Sequence, residues 1–269
     1  MSKVFVIDIA RCSGCYNCQL AWKDENCFND WMPYAKPQPD TGQFWMRVQE
    51  TEHGARPHVK VSYVPIMCQQ CEDAPCIKVA ENGAVYRRED GLVVIDPVKA
   101  KGQKKIAEVC PYHAVFWNAA LEIPQKCTGC AHLLDRGYPI DHPRCVDNCH
   151  MDAIQFGEES ELDLADAETL NPEFGLKTHV YYRGLPKPFV AGKVYDPETE
   201  EVVIGAVVTA KEPEKNEAWT ARTDAFGDFW LRNLPKADLN ITIHGGGKSY
   251  EGTVSTKEKS VGMGNVALK

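Results

Sequence analysis

No stretch of the chain stays apolar for the length needed to cross a bilayer. The N-terminus, MSKVFVIDIARC, lacks a charged region, an apolar run and a small-residue cleavage site. These absences give the expectation of a soluble, cytoplasmic protein. An excess of positive charge is also missing: 30 Lys and Arg face 38 Asp and Glu, for a net charge of −8. Nucleic acid, whose phosphates are met by Lys and Arg, is thereby excluded as a partner. Basic clusters such as Lys99 to Lys105 read as short solvated surface. No Ser-His-Asp arrangement, nucleophilic thiol or carboxylate pair stands out, so no catalytic residue is assigned to this chain.

What the chain has in abundance is cysteine, twelve in 269 residues. In a reducing compartment such a set is read as metal ligands before disulfides. The stretch from Cys68 to Pro111 shows which metal. Bacterial ferredoxins use runs of C-x2-C-x2-C-x3-C-P, the fourth Cys of one run ligating the cluster built on the other. Here the first run keeps Cys68, Cys71 and Cys76 and has Ala80 at its fourth position. The second keeps only its fourth position, Cys110 before Pro111, with Ala100, Gln103 and Ile106 where thiols would stand. By the crossing rule the four missing thiols are the whole ligand set of one cluster. The four that remain, Cys68, Cys71, Cys76 and Cys110, are the whole set of another.

Cys12, Cys15 and Cys18 repeat the C-x2-C-x2-C spacing, which lets three thiolates converge on one cubane face. Trp22 occupies the expected fourth position and reads as a packing residue covering the cluster, while Cys27, five residues on, is the replacement ligand. Cys127, Cys130, Cys145 and Cys149 form C-x2-C, a long gap, and C-x3-C, a pattern that by itself also suits zinc. The ending C-x3-C-H-M-D-A-I copies the ferredoxin ending, with His150 in place of Pro. Twelve thiols then divide without remainder into three 4Fe-4S sets: Cys12, Cys15, Cys18 and Cys149; Cys27, Cys127, Cys130 and Cys145; Cys68, Cys71, Cys76 and Cys110. His113, His132 and His150 lie beside ligands and read as supporting groups rather than ligands.

Length suggests two domains. Residues 3–9 read as an edge strand, and 29–66, rich in Pro and aromatics, as an extended insertion and a strand. That insertion is either a loop packed by its own rings or a wall against a partner subunit. Hairpins are expected around Asp90-Gly91 and over 114–127, in the repeated order motif, hairpin, motif. The acidic segment 158–175 reads as a solvated helix and loop. From about Pro186 there is no Cys, and residues alternate at period two between turns, giving about seven short strands. Asp224, Gly227 and Asp228 read as a tight turn. The expected fold class is α+β: a ferredoxin-like tandem cluster-binding domain with insertions over 1–185, then an all-β sandwich or barrel over 186–269.

The segments CEDAPCIKV, YRREDGLVVID, CPY and KCTGCAHLLDRG resemble those of the iron–sulfur subunit of molybdopterin oxidoreductases of the dimethyl sulfoxide reductase family, across residues 1–180. The resemblance implies a heteromeric enzyme whose large catalytic subunit holds the molybdenum and pterin, with electron transfer or storage left to this chain. In that family four clusters form a row toward a membrane partner, and the cluster on the third motif is the distal one. Its ligands are the ones missing here, so no membrane subunit is expected. Three clusters with an appended β-domain are similar to a transhydroxylase branch of the family, which moves a hydroxyl between phenols without net oxidation. The tail resembles transthyretin-like and collagen-binding-protein B-type (Cna-B) repeats. The competing readings are a free-standing polyferredoxin or another molybdopterin reductase or dehydrogenase subunit, and lastly a zinc-stapled or disulfide-bonded binding module.

Overall fold

The computed structural model describes residues 2–137, 142–213, 215 and 217–269. The chain divides into two units, Met1–Gln49 with Tyr63–Leu185, and Glu50–Ser62 with Pro186–Lys269.

The first unit is built on β1 (Lys3–Asp8), followed by α1 (Asn17–Asn26) and a long hairpin of β2 (Arg47–Ala55) and β3 (His58–Ile66), whose tip belongs to the second unit. Next come α2 (Pro75–Val79), the hairpin β4 (Val85–Arg87) and β5 (Val93–Ile95), then α3 (Lys105–Glu108) and the hairpin β6 (Val115–Asn118) and β7 (Ile123–Lys126). The remainder is α4 (Ala131–Arg136), α5 (Arg144–Asp147), β8 (Ile154–Glu158), β9 (Ala167–Thr169) and β10 (Val180–Arg183).

Three expectations are corrected here. β1 is not an edge strand: the sheet runs β8-β1-β10-β9, with β8 antiparallel and β10 parallel to it. Val4, Phe5, Val6 and Ile7 are apolar on both faces and at most 1% exposed, the signature of a strand covered on both sides. Residues 158–175 hold no α-helix. Asp163 turns the chain by accepting the Ala165 N–H (2.9 Å), Asp166 and Asn171 take left-handed φ, and only β9 and a single 3₁₀ turn, Pro172–Phe174, form. Residues 29–66 give two strands in place of one, because β2 and β3 fold back on each other.

In the second unit β11 (Val190–Tyr195), β12 (Val207–Lys211), β13 (Ala218–Arg222), β14 (Asp228–Leu231), β15 (Asp238–Gly245), β16 (Lys248–Ser255) and β17 (Val261–Ala267) form two sheets, β14-β11-β17 and β13-β12-β15-β16. Alternation drives the packing. In β15 Leu239, Ile241 and Ile243 are wholly buried while Asp238, Asn240 and His244 face out, each inward side chain contributing roughly 2 kcal/mol. Val208, Ala210, Phe229, Leu231 and Val266 complete this core. Asp224 Oδ1 accepts the N–H groups of Phe226 (2.9 Å) and Asp228 (3.0 Å), and Gly227 has φ +75°, so this segment is a turn.

Candidate metal centre

Cys12, Cys15, Cys18 and Cys149 line one cavity. The loop that carries the first three bends tightly against a ring. Gly14 has φ +69°, and a Cβ there would lie 2.5 Å from the Tyr63 ring, so only glycine fits. Tyr16, also left-handed, hands the chain into α1, which carries Cys18. Cys149 reaches the cavity from the turn after α5, and its Sγ accepts the Ala153 N–H at 3.3 Å. Burial pushes the Cys18 thiol up to about 12, reinforced by the neighbouring Cys12 and Cys149 sulfurs. His150 lies with Nδ1 3.7 Å from Cys15 Sγ.

A second cavity is lined by Cys68, Cys71, Cys76 and Cys110, closed by Val93, Tyr112 and Val115. Cys110 Sγ accepts the Ala114 N–H at 3.5 Å, the same contact four residues on that Cys149 makes with Ala153. Burial, reinforced by the Cys68 and Cys110 sulfurs, raises Cys71 to about 12 and Cys76 to about 11, with Lys126 working against it at Cys76.

The remaining group is deeper. Cys127, Cys130 and Cys145 are at most 1% exposed, and burial drives all three thiols upward, Cys127 to about 12. The helix α5, which carries Cys145, packs on α1, which carries Cys18, and Gln70, between Cys68 and Cys71, donates to the Cys127 carbonyl at 3.4 Å, so this group sits between the other two. Cys27 arrives on the segment after α1. Glu25 pairs with His132 Nε2 (3.0 Å) on the helix after Cys130 and with Arg144 Nε (3.2 Å) on the helix carrying Cys145. Trp31 stacks on His132 with ring centroids 4.4 Å apart. His132 therefore positions a ligand segment, as its place beside the motif suggests. His113, with left-handed φ, gives its carbonyl to Arg47 at 3.1 Å.

The residues present fit iron–sulfur clusters. At the third group the buried Thr128 Oγ1 has no partner among the described residues, and the Trp22 Nε1–H faces the Cys127 sulfur. Cluster sulfides accept such donors. The amide of Gly129 already donates to Cys127 Sγ at 3.4 Å. Zinc fits less well. Tetrahedral zinc would draw its thiolates to about 3.8 Å of one another, and among the described residues no three Cys, His, Asp or Glu converge around one ion. No pair of these cysteines is disulfide-bonded. Trp22, 1% exposed and 4.4 Å from the Trp45 ring, packs beside the third group.

Of the four positions without thiols, two are packed into the core and two, Ala80 and Gln103, are partly exposed. Ala100 and Ile106 are wholly buried. Gln103 accepts the Glu81 N–H (2.9 Å) and donates to the Lys99 carbonyl (2.7 Å), joining the ends of what would be two ligand loops. Sequence reasoning missed Lys126, which is wholly buried, with Nζ donating to the carbonyls of Val93 and Cys127. Burial works to lower its pKa, but the sulfurs of Cys68, Cys76 and Cys127 outweigh it and the net shift is upward. Its residue type carries no signal of this, since the burial of all four residues of β7 shows only in the fold.

A family profile described as a 4Fe-4S dicluster domain matches residues 59–159, and one described as a carboxypeptidase regulatory-like domain matches 190–269. The pyrogallol hydroxytransferase small subunit of Pelobacter acidigallici is 38% identical, covering 98% of each chain. A putative dimethyl sulfoxide reductase iron–sulfur subunit of Halobacterium salinarum is 34% identical over 66% of this chain and 77% of its own. An anaerobic dimethyl sulfoxide reductase polypeptide of Escherichia coli is 35% identical over 59% of this chain and 74% of its own. No helix among the described residues is long and apolar enough to cross a membrane.

Proposed function

Because the chain belongs to the iron–sulfur subunits of the dimethyl sulfoxide reductase family of molybdopterin oxidoreductases, we propose that it holds three 4Fe-4S clusters as the small subunit of a pyrogallol–phloroglucinol transhydroxylase. Each cluster, when bound, takes up or gives one electron. The chain's own residues do the rest: they supply four thiolates per site, direct backbone N–H groups at sulfur from Gly129, Ala114 and Ala153, and exclude water. The cluster-binding domain is residues 1–185 apart from the hairpin tip, residues 50–62, which belongs to the second unit. Residues 186–269 form a β-sandwich of transthyretin-like or Cna-B type.

One observation carries the reading: two complete four-cysteine sets line separate cavities and Cys127, Cys130 and Cys145 are buried together, which leaves Cys27 to complete the third set. The partner is a large catalytic subunit holding molybdenum and molybdopterin. A hydroxyl transfer between phenols is redox-neutral overall, so the electron never has to leave the complex. That agrees with the buried Ala100 and Ile106 and the Gln103 bridge, and the reading carries with it no membrane subunit and a cytoplasmic setting. Purification under anaerobic conditions tests this. Recovery with a large molybdenum-containing polypeptide supports it, and recovery of the chain alone as a stable monomer favours a free-standing polyferredoxin.

A further inference from the structure

A buried ammonium needs an anionic partner, since isolation from water costs several kcal/mol. Lys126 is 2% exposed, and its Nζ donates to two backbone carbonyls, those of Val93 and Cys127. No carboxylate pairs with it among the described residues. Its two carbonyl partners belong to two different sets: Val93 lines the cavity of Cys68, Cys71, Cys76 and Cys110, and Cys127 is itself a member of the third set. The hairpin β6–β7 places it there, since β7 runs straight into Cys127 and Val93 lies on β5, which walls the Cys68 cavity.

We infer that Lys126 is a counter-ion shared by two neighbouring clusters, and that its fixed positive charge raises the reduction potential of both. This rests on the cluster assignment proposed above. A cluster with four thiolates is net negative in both oxidation states and more so when reduced. A nearby cation therefore stabilises the reduced form more than the oxidised one. The step concerned is the gain of one electron from the partner's molybdenum centre, with no bond made or broken and no proton moved. Because the charge is shared, an electron reaching this end of the row is held there, which suits a subunit whose row ends at the Cys68 set.

The test is a potentiometric titration of the whole complex at fixed pH, followed by electron paramagnetic resonance, on wild type, Lys126→Met and Lys126→Arg. Methionine keeps the length and removes the charge. Expected are unchanged iron, a negative shift of two cluster potentials, an unmoved third, and near wild-type potentials in Lys126→Arg. Normal iron with unmoved potentials in Lys126→Met would overturn the inference alone, as would a shift confined to one cluster. If Lys126→Met fails to assemble, Lys126→Arg decides: wild-type clusters there support the charge role, and failure there too means that side-chain shape matters instead. Wild-type iron well below twelve per chain would overturn the cluster assignment and this inference with it.

Discussion

Arg88 grips Asp135 through two parallel hydrogen bonds, Nη2 to Oδ1 at 2.7 Å and Nη1 to Oδ2 at 3.0 Å. The fork ties the hairpin turn of YRREDG to the helix after KCTGC, and the Tyr34 hydroxyl donates to the same carboxylate. Asp135 is partly exposed, so Asp135→Asn should cost only about 1 kcal/mol at neutral pH. The hydrogen bond from Arg88 holds its pKa down at about 2. A depressed carboxylate stabilises the fold fully above its unfolded pKa of about 4, and this contribution fades as pH falls toward 2. The difference in thermal midpoint between wild type and Asp135→Asn should therefore shrink between pH 7 and pH 3. A difference independent of pH would contradict the ion pair.

Features written within one motif are legible in the sequence; those depending on distant packing are not. Cys12, Cys15 and Cys18 share a cavity because ligation over short spacings is local, and the same holds for Cys68, Cys71 and Cys76. The hairpin turn at Gly91 and the seven strands after Pro186 follow from turn residues and period-two alternation. β1 cannot be placed from its own residues because its partners, β8 and β10, return only after a long excursion of the chain. Composition misleads over 158–175, since acidic residues that suit a solvated helix also suit Asx turns. Lys126 is invisible because a buried lysine is spelled like an exposed one.

Cys110→Ala and Cys71→Ala should each remove about four iron atoms per chain, and the double variant no more than either single one. The same equivalence should hold for Cys149→Ala and Cys15→Ala. Iron analysis with resonance spectra checks it; additive losses would mean that the sets are divided differently.

Gly54 has φ +89°, and a Cβ there would fall on the His58 carbonyl and 2.7 Å from the Phe189 ring, so Gly54→Ala forces backbone to move. The expected result is a loss of about 2 kcal/mol or more in the second unit with iron content unchanged. Loss of iron in this variant would show that the hairpin tip supports the clusters as well.

Replacing Ala80, Ala100, Gln103 and Ile106 together by Cys should allow a fourth cluster after anaerobic reconstitution. Ile106→Cys and the loss of the Gln103 bridge clear the space that these side chains now fill. A gain of about four iron atoms per chain is expected; unchanged iron would mean that the crossing rule, or the packing around it, works differently here.

The central claim is three clusters on twelve thiols, and the most direct measurement is iron, acid-labile sulfide and zinc on anaerobically purified protein, per mole of this chain. About twelve iron and about twelve sulfide with no zinc is the predicted result. About eight iron, or zinc at the Cys127 group, would contradict it.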